Sequence, residues 1–379
     1  MINILYIITD MNIGGTEKML FETVVRIDKN KYCPVVCSLK KAGVYSEKLV
    51  NRNIEFMSLD IYRFYGLFLP LFLLYGIFRI VSIIRKRNID IVHTYLFQAN
   101  IIGRISSKLS GKNLIVISSF RGKETDLQFL IERYTSKLAD KFIANSYALK
   151  DLVIKKTRIL SQKIDVIYNG IETANLIKIN RNEKLSQLNL TNNDILIGTV
   201  GRLHKEKGIN DLITSVEIVI KKYNNIKCLI VGDGPEKKFF ESRIHKLGLE
   251  NKIYLLGFRI DAVEIISILD IFILCSPYEG MPNVILEAMV YGIPVIVTSV
   301  GGVIELIKDN ENGMTVEYGN PNALAEKILY CINNKTEIQK MALKSKEYVK
   351  KFSIDNMINN IQTLYRELYE KKYIGTKNQ

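Results

Sequence analysis

The chain has 379 residues, 47% hydrophobic and 24% charged, which excludes a disordered or fibrous protein and leaves room for two or three domains of roughly 150 residues each. The net charge of +14 is uneven: residues 1–172 carry 26 Lys and Arg against 15 Asp and Glu, and residues 173–379 carry 27 against 24. A basic first half suits an anionic partner, either a membrane surface with a phospholipid-like substrate or a nucleic acid, and equally a basic surface kept for solubility. Nucleic acid is disfavoured, since there is no zinc-finger spacing, no RNA-binding aromatic signature and no Trp.

The five cysteines (Cys33, Cys37, Cys228, Cys275, Cys331) form no CxxC pair and mostly lie in apolar runs, the pattern of reduced core residues in a cytoplasmic protein. His93, His204 and His245 are too dispersed for a zinc cluster, and there is no D-x-D motif to hold a divalent ion, so neither metal nor cofactor is expected. The first apolar run, Ile2–Ile8, lacks the charged leader of a signal peptide, and the expectation is a cytosolic chain.

In chain order, short apolar runs alternate with helical patterns twice over. The first half predicts strands at Ile2–Ile8, Cys33–Ser38, Ile54–Met57, Ile89–His93, Leu114–Ser118, Lys141–Ala144 and Ile164–Ile167. The second predicts them at Ile195–Val200, Lys227–Val231, Ile253–Leu256, Ile271–Leu274, Pro294–Thr298 and Met314–Val316. Strands alternating with helices give parallel sheets that bind ligands at the strands' carboxyl ends, so the fold class is α/β with two doubly wound domains. The polar stretch Glu172–Asp194 separates a domain of residues 1–172 from one of 173–352, and a last helix with an apolar face spans Ile354–Tyr369.

Tyr62–Ile84 is the most apolar region, followed by Arg85-Lys86-Arg87. Gly66, Pro70 and Gly76 interrupt it and Arg79 falls inside, leaving about 15 residues without a charge against the ~20 of a membrane span. Two readings stand: a segment lying in the membrane interface, or a core helix leading into the next strand. Arg121-Gly122-Lys123, after Leu114–Ser118, is a candidate phosphate site for an acceptor.

Gly14-Gly15 and Gly232-Asp233-Gly234-Pro235 each follow a strand and open a helix, as phosphate-cradling loops and ordinary turns both do. Gly201-Arg202-Leu203-His204-Lys205-Glu206-Lys207-Gly208 delivers two cations at a strand end, Arg202 and Lys207, suited to neutralising a diphosphate. In the run from Ser276 to Ala288, Gly280 and Pro282 break the chain before a helix predicted over Asn283–Tyr291, with Pro282 at its first position. Glu279 stands before this helix, and Glu287 lies about one turn beyond Asn283, roughly 6 Å along the axis. A helix start attracts phosphate and carboxylates repel it, so with a phosphorylated ligand the two glutamates face hydroxyl groups, a pattern implying a sugar nucleotide. Alone, they read equally as solvated side chains.

Gly-Gly-Thr-Glu (14–17), Asn-Gly-Ile (169–171), Gly-Arg-Leu to Lys-Gly (201–208), Gly-Asp-Gly-Pro (232–235), Glu279 to Glu287 and Val300-Gly-Gly-Val-Ile-Glu305 together resemble the retaining family 4 glycosyltransferases of the GT-B fold. The resemblance implies two Rossmann-like domains facing a central cleft. The acceptor sits mainly on the first and the donor nucleotide on the second, and the last helix crosses back to the first. It implies that Glu287 accepts from the ribose, Glu279 from the donor sugar, and that Arg202 and Lys207 hold the diphosphate. Gly280, Met281, Pro282, Asn283 and Val284 lie near sugar and phosphates, the last residues through their backbone, with Gly232 also on the donor side. Gly14 and Gly15 face the diphosphate from the other domain, and the backbone of Phe258 and Arg259 meets the base. His93 matches the family's active-site histidine, at a strand end.

The activity so implied is metal-free transfer of a hexose or N-acetylhexosamine, from a UDP-sugar by preference, to a lipid-linked or saccharide acceptor in surface-polysaccharide assembly. The enzyme would sit peripherally on the anionic cytoplasmic membrane face, and no nucleic acid is involved. Glycoside hydrolysis by Glu279 and Glu287 is disfavoured by Arg202, Lys207 and the helix start, which suit a diphosphate rather than a glycosidic bond. A non-catalytic nucleotide-sugar-binding partner is the other alternative.

Overall fold

The computed structural model describes residues 1–61 and 69–375, and the chain divides into one unit of residues 1–170 with 354–379 and a second of 171–353. The first unit begins β1 (Ile2–Ile8), α1 (Gly15–Arg26), β2 (Tyr32–Ser38), α2 (Val44–Val50), β3 (Glu55–Ser58) and α3 (Leu69–Lys86). It continues β4 (Ile91–Tyr95), α4 (Phe97–Leu109), β5 (Ile115–Phe120), α5 (Asp126–Thr135), β6 (Lys141–Ala144), α6 (Tyr147–Thr157) and β7 (Ile164–Val166). The second unit runs α7 (Arg181–Gln187), β8 (Ile195–Val200), α8 (Ile209–Val219), β9 (Ile226–Val231), α9 (Lys237–Lys246), β10 (Ile253–Gly257) and α10 (Ala262–Ser267). It then adds β11 (Ile271–Leu274), α11 (Asn283–Val290), β12 (Val295–Thr298), α12 (Val303–Leu306), β13 (Met314–Val316), α13 (Pro321–Asn333) and α14 (Lys335–Tyr348), before α15 (Ile354–Tyr369) rejoins the first unit.

Both sheets are parallel, in the orders β3-β2-β1-β4-β5-β6-β7 and β10-β9-β8-β11-β12-β13. Helices cover both faces of the first sheet, so its central strands β4 and β5 are buried along their whole length rather than alternating between core and solvent. In the first unit, α3 to α6 pack on one face through Ile80, Ile84, Ile102, Phe129 and Leu149. On the other face α1 packs through Leu20 and Val24, beside α15 through Ile358, Ile361 and Tyr365.

Direction reverses between β1 and β4 and again between β8 and β11, so each sheet has a switch point at which loops diverge and leave a crevice outside the carboxyl ends.

Three expectations need correction. Glu172–Asp194 is not featureless: α7 lies within it, and its Lys184 is buried and bridges Asp261 (2.5 Å) and Glu264 (2.6 Å). A lysine at a core-facing position hides the helical period. Of Tyr62–Ile84, residues 62–68 lie outside the described residues, but α3 runs unbroken through Gly76, where a Cβ would sit 3.0 Å from Ile61 Cγ2. Pro70 falls in the helix's first turn, where a missing N–H costs nothing. Finally, β4 extends to Tyr95 because Thr94 and Tyr95 still pair with Ile7 and Ile8 of β1, which puts His93 in mid-strand.

Beneath the carboxyl ends of β4 and β5 lies a buried polar network. Arg104 pairs with Glu132, both fully buried, and donates from Nε to Ser118 Oγ (2.9 Å); Asn100 donates to Glu132 Oε1 (3.4 Å) and Thr94 to Asn100 Oδ1 (2.7 Å).

Candidate functional site

The second unit's switch point collects the residues singled out in its sequence. After β8, Gly201 and the exposed Arg202 lead into a single tight turn, Lys205–Lys207, which Gly208 ends with φ 62. A Cβ on Gly208 would lie 2.0 Å from the carbonyl oxygen of Cys275, so only glycine lets this turn close against the chain leaving β11. That contact brings Lys207 to Glu279: Nζ and Oε1 are 2.6 Å apart, both half-buried. The ammonium has three donors, so engaging Glu279 leaves others for an anion.

The Glu279 loop is held from a second side. The Gly302 N–H donates to the Glu279 carbonyl (2.9 Å), and Gly301, at φ +49, has its α-carbon so close that a Cβ would stand 2.1 Å from that oxygen. This role of Gly301-Gly302 was not legible beforehand, although the glycine pair itself is a visible signal.

Gly280, Met281 and Pro282 are buried, and Pro282 is the N-cap of α11 (φ −77, ψ 118) rather than its first helical residue. Pro282 has no polar side chain with which to cap α11, and the first residues of that helix, Asn283 and Val284, form its positive end just after Glu279 in the chain. Glu287, one turn along, is 7% exposed.

Gly232 follows β9, but its N–H is already committed to the Gly257 carbonyl (2.8 Å). Phe258 is exposed after β10, and the Arg259 side chain forks onto Asp261 (2.6 and 2.8 Å), leaving backbone for contact with a ligand.

In the first unit Gly14 caps α1 and Gly15 begins it, yet the helix start is not open. The Glu17 carboxyl lies over Gly14, where a Cβ would be 2.2 Å from Oε2; burial, reinforced by Asp10, pushes its pKa up to about 7. His93 is fully buried. Its Nδ1 meets the Tyr365 hydroxyl at 2.5 Å and its Nε2 the Ser119 hydroxyl at 2.8 Å, and burial, with the Arg121 guanidinium second, holds its pKa well below the usual value. It is a neutral interior group, away from the strand end at which it was expected.

Arg121 does follow a strand end, that of β5. It stacks 4.9 Å over the Tyr95 ring and donates from Nη1 to Asn169 Oδ1 (3.0 Å), while its Nε is buried without a hydrogen-bond partner. Gly122 beside it is open, with nothing within 4 Å of a would-be Cβ, and Lys123 is exposed. Among the described residues no group of three or more His, Cys, Asp and Glu could hold a metal ion.

Two doubly wound parallel sheets, each with a switch point at its strands' carboxyl ends, define a GT-B-type fold. Residues 13–175 match Glycosyltransferase Family 4 and residues 180–352 match Glycosyl transferases group 1, and the chain belongs to this family of glycosyltransferases. It is 27% identical to the capsular polysaccharide biosynthesis glycosyltransferase CapM of Staphylococcus aureus, over 76% of this chain and 80% of that one. It is 28% identical to the UDP-Gal:alpha-D-GlcNAc-diphosphoundecaprenol alpha-1,3-galactosyltransferase of Escherichia coli, over 77% and 79%. Among solved structures, Anabaena HepE in complex with UDP and glucose shares the fold with a TM-score of 0.85 at 21% identity, covering 97% of this chain and 100% of that one.

Proposed function

We propose that this glycosyltransferase retains anomeric configuration, moving a hexose or N-acetylhexosamine from a UDP-sugar to a lipid-linked or saccharide acceptor in the assembly of a surface polysaccharide. The observation that carries the reading is the Lys207–Glu279 pair just before the start of α11. A donor with a sugar hydroxyl on Glu279 and its diphosphate on Lys207, Arg202 and the helix start uses every charge there. The CapM and galactosyltransferase relatives, and the UDP and glucose bound by HepE, support the polysaccharide context and the choice of UDP.

In this reading the bond from the anomeric carbon to the β-phosphate oxygen breaks, the acceptor oxygen bonds to that carbon on the same face, and its proton passes to the departing phosphate oxygen. Arg202, Lys207 and the α11 N–H groups stabilise the charge that develops on the leaving diphosphate without a metal ion. Glu279 and Glu287 hold the sugar and ribose so that the acceptor meets a fixed carbon. The lipid-linked acceptor places the enzyme peripherally at the anionic cytoplasmic membrane face. Hydrolysis of a glycosidic bond is disfavoured because Lys207 beside Glu279 suits a diphosphate rather than a neutral glycosidic bond.

Incubation with a panel of UDP- and GDP-sugars, read by thermal stabilisation and by release of nucleoside diphosphate, tests this. A UDP-sugar that raises the melting temperature and is turned over with and without chelator is expected. Stabilisation by none of them, or loss of turnover in chelator, overturns the donor or the metal-free assignment respectively.

A further inference from the structure

We infer that Arg121 is the seat of an anion, a phosphate group carried by the acceptor sugar. The inference rests on the proposed transfer reaction and narrows its acceptor to a phosphorylated one. Every residue it uses belongs to the first unit.

Arg121 leaves the end of β5, in the interior of the first sheet, so its guanidinium is delivered to the carboxyl edge where a doubly wound sheet takes its ligands. The side chain is firmly held. Tyr95, fully buried at the end of β4, has its ring centroid 4.9 Å from the guanidinium. Asn169, buried beyond β7, accepts from Nη1 at 3.0 Å, and Asn145, buried after β6, donates to the Arg121 carbonyl at 3.3 Å. Residues at the ends of three other strands thus fix one cation in place.

No neighbour supplies a compensating charge. Burial depresses the Arg121 pKa, opposed only by the Tyr95 and Tyr365 phenols, and among the described residues Arg121 makes no ion pair. Glu124, in the same loop, does not serve: burial, with Glu132 next, pushes its carboxyl up to about 8, so at neutral pH it holds its proton. Arg104 shows the ordinary arrangement in this unit, fully buried and paired with Glu132. A desolvated charge without a counter-ion is costly, and a fold that keeps one in place does so where a ligand completes the pair.

The groups left over fit a phosphate with a hydroxyl beside it. The Arg121 Nε is buried without a hydrogen-bond partner, and the adjacent Gly122 N–H donates to nothing among the described residues. Nothing lies within 4 Å of a Cβ placed on Gly122, which leaves room for an oxyanion. The Asn145 Oδ1, also buried without a partner, can only accept, and so suits a ligand hydroxyl. In the proposed donor placement the diphosphate already has Arg202 and Lys207 of the second unit, which leaves the acceptor as the source of the phosphate at Arg121.

The test is titration of the full chain with inorganic pyrophosphate, with and without saturating UDP, for the parent, Arg121→Met and Arg121→Lys, read by calorimetry. The parent should bind pyrophosphate in addition to UDP. Arg121→Met should bind it about tenfold or more weaker, and Arg121→Lys in between, since an ammonium keeps the charge without the planar fork. UDP affinity should stay within about twofold of the parent in both variants, and circular dichroism should match, which separates loss of the anion from misfolding. If UDP itself fails to bind the parent, the donor reading falls, while the dependence of pyrophosphate binding on Arg121 is still measured. No pyrophosphate binding by the parent, equal binding by Arg121→Met, or a loss of UDP affinity in Arg121→Met that matches its loss of pyrophosphate overturns the proposal.

Discussion

The Nδ1 of His93 in β4 lies 2.5 Å from the hydroxyl of Tyr365 in α15, 272 residues further along the chain. The Tyr365 hydroxyl also donates to the Tyr6 hydroxyl (3.2 Å), and the Nε2 of His93 lies 2.8 Å from the Ser119 hydroxyl. The chain of hydrogen bonds fastens the last helix to the centre of the first sheet and makes His93 a positioning residue for α15.

Tyr365→Phe therefore leaves two buried polar groups short of a partner, and a loss of about 1–3 kcal/mol is expected in urea unfolding. His93→Phe in the Tyr365→Phe background should cost less than the two singles added, since both break one network. Additive losses would show that the bond contributes nothing.

Because the folded state holds His93 neutral with a depressed pKa, its stabilising effect is complete above the unfolded value of about 6.5 and is lost as pH falls below it, at up to about 1.4 kcal/mol per pH unit. His93→Phe should show a shallower loss of stability than the parent between about pH 6.5 and 5. Equal slopes in the two proteins would mean that the folded imidazole titrates normally.

Glu17 has the opposite sign. Its folded pKa of about 7 lies above the ordinary 4.5, so the stability linked to its proton is present below about 4.5 and disappears as pH rises through about 7. Glu17→Gln should melt higher than the parent at alkaline pH, with the difference shrinking towards acid. A constant difference across that range would exclude a buried, proton-holding carboxyl.

On the proposed donor placement, Glu279→Ala is expected to lower transfer by about 10²-fold or more, whereas Lys207→Ala should chiefly weaken UDP binding. Isothermal titration with UDP separates the two. Undiminished transfer by Glu279→Ala would take the loop out of the site.

Gly301→Ala reaches the same loop without touching a ligand. Its Cβ would displace the Glu279 carbonyl from 2.1 Å, and a shift of about 1 Å at a reacting centre costs on the order of 10²-fold in rate. Transfer should fall, and the melting temperature with it, since alanine is also strained at φ +49; parental kinetics would show that the loop tolerates the displacement.

The sequence alone determined the α/β class and the parallel sheets, because strands buried on both faces read as short apolar runs such as Ile271–Leu274, found at those bounds. It determined α15 to the residue for a similar reason: a helix with one buried stripe prints its period in Met357, Ile358, Ile361, Leu364 and Tyr365. Glycine and proline marked the loops at 201–208 and 276–282, since few other residues close such turns. Tertiary structure alone decided which polar groups those elements bring together. The pairing of Lys207 with Glu279 spans 72 residues, the contact of Gly301 with the Glu279 carbonyl depends on β12 lying next to β11, and the burial of His93 depends on a helix from the other end of the chain. Periodicity records which side of an element faces the core; it holds no record of which neighbour stands there, and only the neighbours show His93 in mid-strand against Tyr365.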